Sequence, residues 1–146
     1  MQRIRFFEVV GAAVILSLTA LAGISCVKAD SADQIEGVTW VLKSYGEQGF
    51  LETAIAEHEP TLTFDKEKGE IGGSGGVNLY GGKYEIDGNN LEIKELYQTL
   101  IASTDAALNN QEAAYMKILN SAERYKIEGE ELTITGTEGV LVFMQE

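Results

Sequence analysis

Apolar and polar residues alternate along most of the chain after residue 37, and one alternation occurs twice. Tyr84, Ile86, Asp87, Gly88, Leu91 and Ile93 form a pattern that returns 41 residues later as Tyr125, Ile127, Glu128, Gly129, Leu132 and Ile134. Alternation lets one face of each arm be buried, and an acid-Gly pair between the arms supplies the positive φ of a tight turn. Each copy therefore predicts a β-hairpin, with Tyr84, Ile86, Tyr125 and Ile127 on buried strand faces.

The same period predicts further strands. Val38 to Tyr45 alternates and is broken by Gly46 and Gly49; a less regular segment runs from Phe50 to Glu57, short of Pro60, the only proline. Thr61 to Gly73 reads as a hairpin about a charged Lys66-Glu67-Lys68-Gly69 turn. Gly72, Gly73, Gly75, Gly76, Gly81 and Gly82 then predict a structural loop with close backbone packing. A phosphate-cradling loop needs its glycines between a strand and a helix, and here Lys83 to Asp87 reads as a strand. Glu92 to Ala102 is extended. Asn109 followed three residues later by Glu112 fits a helix cap, after which Tyr115, Ile118, Leu119 and Ala122 recur at helical spacing. A last strand, Val140 to Phe143, follows the second repeat hairpin. The pattern predicts a mainly β fold, a small antiparallel sheet or partly open barrel of about eight strands with one packed α-helix.

The amino-terminal residues have a different pattern. Arg3 and Arg5 precede an uncharged run from Val9 to Val27, the layout of a secretory signal. Cys26, the only cysteine, ends that run after Gly23-Ile24-Ser25 and resembles the lipid-carrying cysteine of a bacterial lipobox, although Gly23 stands where a larger aliphatic residue is usual. Residues 1–25 are expected to be the signal peptide, residues 26–37 the lipidated cysteine and a flexible tether, and residues 38–146 the domain. Two alternatives stay open: cleavage after Ala29, or an uncut run whose 19 residues cover roughly 28 Å of bilayer. All three place the domain outside the cytoplasm. Attachment to a cell or outer membrane would come from the amino terminus alone.

Charge narrows the partners. The chain carries a net charge of −12, and loss of Arg3, Arg5 and Glu8 with the signal would make it −13. Such a surface repels phosphate backbones, and no basic stripe with interleaved aromatics relieves it, so nucleic acid is not an expected partner.

Candidate chemistry is sparse. His58, the only histidine, sits in Glu57-His58-Glu59-Pro60 with no second histidine or free thiol to build a triad or zinc site. Asp65 to Glu70 and Asp87 to Glu92 lack the ligand spacing of a calcium loop and read as turns. Glu130-Glu131 are adjacent, a spacing that points strand side chains to opposite faces. No catalytic residue, cofactor or metal is expected.

Trp40-x-Leu42, Thr61-Leu-Thr-Phe-Asp65, Gly76-Val77-Asn78-x-Tyr80-x-Gly82-x-Tyr84, Thr99 before Ala102, Gln111-Glu112 with Tyr115 and Leu119, and Leu141-x-Phe143 together resemble the META domain, the HslJ-like family of bacterial envelope proteins. The resemblance runs from Val38 to Phe143. It implies a compact antiparallel β fold with one helix, often secreted or lipid-anchored, associated with heat induction and novobiocin resistance and without assigned chemistry. It marks Trp40, Gly76, Asn78, Gly82, Tyr84, Thr99, Glu112 and Leu119 as structural motif residues. Many relatives carry cysteines where this chain has Val77 and Ser103, so no disulfide or redox role transfers. Two functional classes follow: a non-enzymatic module binding an envelope protein at the membrane surface, in the manner of a stress-tolerance factor, or a carrier of a lipid or small apolar ligand in a partly open barrel. Oligomeric state is not legible.

Overall fold

A computed structural model describes residues 34–146. The expected signal peptide, Cys26 and the first part of the tether lie outside the described residues. The described elements are β1 (Thr39–Glu47), β2 (Phe50–Thr53), β3 (Thr61–Asp65), β4 (Glu70–Ser74), β5 (Leu79–Asp87), β6 (Asn90–Gln98), α1 (Ala106–Asn120), β7 (Ala122–Glu128), β8 (Glu131–Gly136) and β9 (Gly139–Gln145).

Eight strands close into an antiparallel barrel in the order β1-β3-β4-β5-β6-β7-β8-β9, with β9 returning to β1. The ninth strand, β2, is additional to the expected eight. It folds back on the second half of β1 from Ser44 to Glu47, while the first half, Thr39 to Val41, pairs with β3. Three short turns and the first residues of β1 define one end of the barrel. The opposite end holds the β1-β2 hairpin, the glycine loop and α1. Closure is thinnest between β6 and β7, where a single pairing, Asn90 with Arg124, joins the strands flanking the helix.

Alternation explains the interior. Trp40, Leu42, Leu62, Leu91, Leu132, Ile134, Leu141 and Phe143 point inward and are buried, and α1 lays Tyr115, Ile118 and Leu119 over them. A register shift between Leu42 and Ser44 moves the inward phase of β1 by one residue, so Tyr45 follows Leu42 into the core. Such a bulge bends and twists its strand, which helps β1 serve three neighbours.

The repeat hairpins are present, with two corrections. The two-residue loops are Gly88-Asn89 and Gly129-Glu130, and the acids Asp87 and Glu128 pair with Asn90 and Glu131 across the strands. Only the glycines take positive φ, 59° and 64°, so glycine comes first in each loop, as type II′ turns require. Tyr84 and Tyr125 are buried as expected, whereas Ile86 and Ile127 are half-buried and pack against the rim of the core. They stand at the last turns of the strands, where the barrel opens.

Three boundaries also move. Gly72 and Gly73 belong to β4, as the Thr61 to Gly73 hairpin predicts, and β5 extends back through Gly81 and Gly82, leaving Gly75 to Asn78 as the connection. Glycine has no side chain with which to alternate, so the period fails where the strands continue. The helix begins at Ala106, with Asp105 as its cap accepting from the Ala107 N–H at 2.8 Å, rather than at Asn109. Finally, the expected tether ends early: Ile35 is buried and its carbonyl accepts from the Trp40 indole at 2.8 Å, which joins residues 35–37 to the domain.

Burial ranks the strand positions. Ile134→Ala is expected to lower stability by about 2–5 kcal/mol, and Ile127→Ala by clearly less, because only the first leaves a closed cavity. Urea unfolding of both variants checks the order; equal losses would place Ile127 in the core.

Candidate functional site

Most polar side chains buried in the described residues meet at the glycine loop. Glu112 and Gln111, both buried, stand side by side on α1. The Glu112 carboxylate accepts from the backbone N–H groups of Val77 at 3.2 Å and Asn78 at 2.5 Å through one oxygen, and from the Asn78 side-chain amide at 2.6 Å through the other. The same amide nitrogen donates to the Ile101 carbonyl at 2.9 Å. Its oxygen accepts from Ile101 N–H at 2.7 Å and from the Thr99 hydroxyl at 2.8 Å. Asn78 thus fills all four of its hydrogen-bonding positions, which also fixes the orientation of its amide. Gln111 does the corresponding work on the other side, accepting from Ile55 N–H at 2.7 Å and donating to the His58 carbonyl at 2.8 Å. Two adjacent helix side chains therefore tie down three connections: the β2-β3 loop, the glycine loop and the strand exit after β6.

The glycines are where that junction leaves no room. A Cβ on Gly75 would stand 2.5 Å from a Glu112 carboxylate oxygen. On Gly76, at φ +103°, it would stand 2.8 Å from the His58 carbonyl. The glycine requirement is steric, and the loop donates its N–H groups to a side chain of the protein itself.

Two phenols continue the network inward. Tyr80 and Tyr115 share a hydrogen bond of 2.6 Å, and Tyr80 donates to the Thr61 carbonyl at 2.7 Å. Burial pushes the Tyr80 hydroxyl well above the ordinary tyrosine range, partly offset by its bond to Tyr115. Burial also raises Tyr115, with Tyr80 adding to the effect.

The motif residues divide among these places. Gly76, Asn78, Thr99 and Glu112 converge on the junction, and Leu119, two turns further along α1, is buried in the core. Gly82 lies in the wall, where a Cβ would come 3.0 Å from the Lys94 carbonyl. Trp40 and Tyr84 serve the opposite end: Tyr84 donates to Glu36 at 2.6 Å, beside a Lys66 ion pair at 3.3 Å, and packs edge-on to Phe64. Burial, followed by Glu36, raises the Tyr84 hydroxyl as well. Val77 and Ser103 both donate backbone N–H groups to neighbouring helix side chains, Glu112 and Asn109.

The side chains of the remaining candidates stay apart from this junction. His58 is exposed and contributes its carbonyl. Asp65 caps its own turn, accepting from Glu67 and Lys68 N–H groups. Among the described residues no group of three or more His, Cys, Asp or Glu side chains is arranged to hold a metal, and no helix is long and apolar enough to cross a membrane.

Sequence reasoning missed a surface feature. Leu79, Tyr97, Leu100 and Ile101 are exposed large apolar residues beside the junction, Leu100 to 91%. Tyr97 lies across Gly81, whose Cβ would meet the tyrosine hydroxyl at 2.5 Å. A groove of about 340 Å³ runs from Leu100 and Ile101 to Asn109 and Ala113 of α1. Phe50 and Leu51 of β2 are also exposed. Leu100-Ile101-Ala102 breaks the alternation with three apolar residues in a row, a sign of irregular structure there but not of its exposure.

The geometry defines a helix-capped, up-and-down β-barrel with a self-satisfied polar junction. Residues 33–146 match the META domain family, and the chain belongs to it. No curated protein matches the chain. An NMR structure of a protein from Burkholderia xenovorans is 21% identical with a TM-score of 0.67, over 80% of this chain and 86% of that one. A crystal structure of a DUF4847 family protein from Bacteroides vulgatus is 15% identical with a TM-score of 0.55, over 78% and 96%. Both are similar in fold.

Glu112→Gln keeps the shape of the junction but sets an NH₂ group against N–H donors. It is expected to destabilise the domain by about 1–3 kcal/mol, read from denaturant midpoints. A neutral outcome would mean that the carboxylate does not hold the loop.

The buried phenols set an alkaline limit. Their pKa values are raised in the fold above the unfolded value of about 10, so the stability they contribute is present below that pH and is lost as pH rises toward the folded values. Melting temperature should fall progressively above about pH 10, and Tyr115→Phe should flatten that fall. An unchanged slope in the variant would assign the alkaline loss to other groups.

Proposed function

We propose that this protein is a non-enzymatic META-domain lipoprotein of the cell envelope that binds a protein partner at the membrane surface. The observation that carries this reading is the contrast between a filled interior and an apolar exterior rim. Trp40, Tyr115, Phe143 and their neighbours occupy the barrel, while Leu79, Tyr97, Leu100 and Ile101 face solvent beside a groove. A carrier needs a chamber for its ligand, and a cluster of exposed large apolar side chains is the mark of a contact surface. The polar junction supports the same reading. Its donors and acceptors are satisfied by one another, which suits a rigid platform for that rim.

Export and lipidation at Cys26 rest on the amino-terminal pattern of basic start, apolar run and terminal cysteine. The HslJ-like resemblance adds a role in stress tolerance. Intact mass spectrometry of the membrane-extracted protein tests the anchor: the expected chain begins at a lipid-modified Cys26, and one beginning at Asp30 or Met1 would defeat it. Native mass spectra of the same sample should show no lipid retained in the barrel. A photo-crosslinker at Leu100 should give a discrete protein adduct in the native envelope, whereas one at Lys126, near the opposite end, should not.

A further inference from the structure

In the barrel eight of the nine strands have a neighbour strand on both sides, and β2 alone has a neighbour on one side only. The pairing along β2 shows which backbone groups are unused. Glu47 and Phe50 close the two-residue hairpin, and Ala54 N–H donates to the Lys43 carbonyl at 2.9 Å. In an antiparallel pair the bonded positions alternate, so Phe50, Glu52 and Ala54 turn their backbone groups toward β1, and Leu51 and Thr53 turn theirs away. Among the described residues no hydrogen bond joins Leu51 or Thr53 to anything beyond β1. All four β2 residues are exposed, Phe50 to 81%. Proteins ordinarily blunt such an edge with shortness, charge, proline or a covering element; β2 is short and carries Glu52, but it has no lysine or proline and no strand covers its outer side among the described residues.

Charge selects the occupant. Glu47 and Glu52 stand on the hairpin, and Glu57 and Glu59 follow it in the loop to β3. None of the four forms an ion pair among the described residues, whereas Lys68, Lys83, Lys94, Lys117 and Lys126 are each bound to a carboxylate elsewhere on the barrel. Four carboxylates without a cation partner, Glu52 among them although it accepts from the Tyr45 hydroxyl, oppose a second copy of this acidic chain and favour a basic partner.

We propose that β2 is a docking edge for an extended segment of a partner protein, which adds as a strand on Leu51 and Thr53 and carries apolar residues together with lysine or arginine. Main-chain bonds supply the affinity and alternate side chains the selectivity, apolar ones on the face of Leu51 and cations on the opposite face, beside Glu52. The anchor gives the edge its direction, and this part rests on the function proposed above. Seven residues, 27–33, separate Cys26 from the described domain, and the span from Cys26 to Gln34, fully extended, is at most about 29 Å. The hairpin stands at the far end of β1, roughly 26 Å along the strand from Thr39, so with the chain's entry end toward the bilayer the hairpin points away from it.

The test uses the full chain in phosphatidylcholine nanodiscs, with hydrogen exchange read by mass spectrometry. Two capped hexapeptides serve as probes, one alternating lysine with valine and one alternating glutamate with valine. The lysine peptide is expected to slow exchange in the segment containing Leu51 and Thr53 and nowhere else, and the glutamate peptide is not. Thr53→Pro removes an outward N–H without touching the bonds to β1, so protection should be lost while the melting temperature holds. Equal protection by both peptides, protection elsewhere on the barrel, or an unaffected Thr53→Pro variant would overturn the edge site. Protection without peptide that grows with protein concentration would make the occupant a second copy and overturn it too. Protection in detergent but not on the disc would overturn the outward direction. The mass of the lipidated chain is a separate measurement, so failure of the anchor and failure of the edge are distinguishable.

Discussion

The pairing of Glu112 with Asn78 is the constraint on which the capped end of the barrel depends. A helix laid across a barrel mouth buries the connections beneath it, and buried backbone N–H and C=O groups must find partners. Here the irregular segments cannot satisfy one another, because each runs between different strands. One carboxylate on α1 gathers two N–H groups of the glycine loop, and Asn78 passes the connection on to the backbone of Ile101. Gln111 repeats the device toward Ile55 and His58. The helix is thus both lid and hydrogen-bond partner, and a purely apolar helix of the same shape would leave the loops beneath it unsatisfied.

That dependence is strongest where the sheet is weakest. With a single pairing between β6 and β7, hydrogen bonding alone closes the barrel poorly on that side. α1 is the covalent connection across the same gap. Its apolar side, carrying Tyr115, Ile118 and Leu119, packs into the core and bridges what the strands do not. Burial on the inside and the polar junction at the rim therefore hold the helix by different forces at different points, which fixes its position more narrowly than either alone.

How far the sequence disclosed this depended on periodicity. The repeat hairpins, the helix stripe and the mainly β class were legible because side chains that alternate, or recur at helical spacing, report their own environment. The signal failed where side chains are missing or where a partner lies far along the chain. Gly81 and Gly82 hid the first half of β5, because glycine reports no face. Glu112 was legible as a possible capping residue three positions after Asn109, while its actual partners, Val77 and Asn78, lie more than thirty residues away. Asp105, the observed cap, stands in a polar stretch without distinguishing neighbours. Ile35 read as tether because a single apolar residue has no period, and its burial depends on Trp40 arriving above it. The exposure of Leu100 and Ile101 required the tertiary structure, since apolar residues in sequence suggest burial first.

The two ends of the barrel consequently carry different amounts of information. At the end where the chain enters, three turns join adjacent strands, and two of them are the glycine-first loops of the repeat. Such turns are short, locally determined and nearly without surface of their own. At the other end every connection except Thr137-Glu138 is elaborated: an added strand, a glycine loop, a helix with its polar junction. Loops positioned by a rigid scaffold are where binding surfaces can change without disturbing the fold. The exposed apolar residues of the β6 exit and the free edge of β2 both lie on that elaborated end, and both are held by Gln111 and Glu112 through the loops beside them. A change at the rim can then alter what is bound while the barrel, with its core and its plain end, stays as it is.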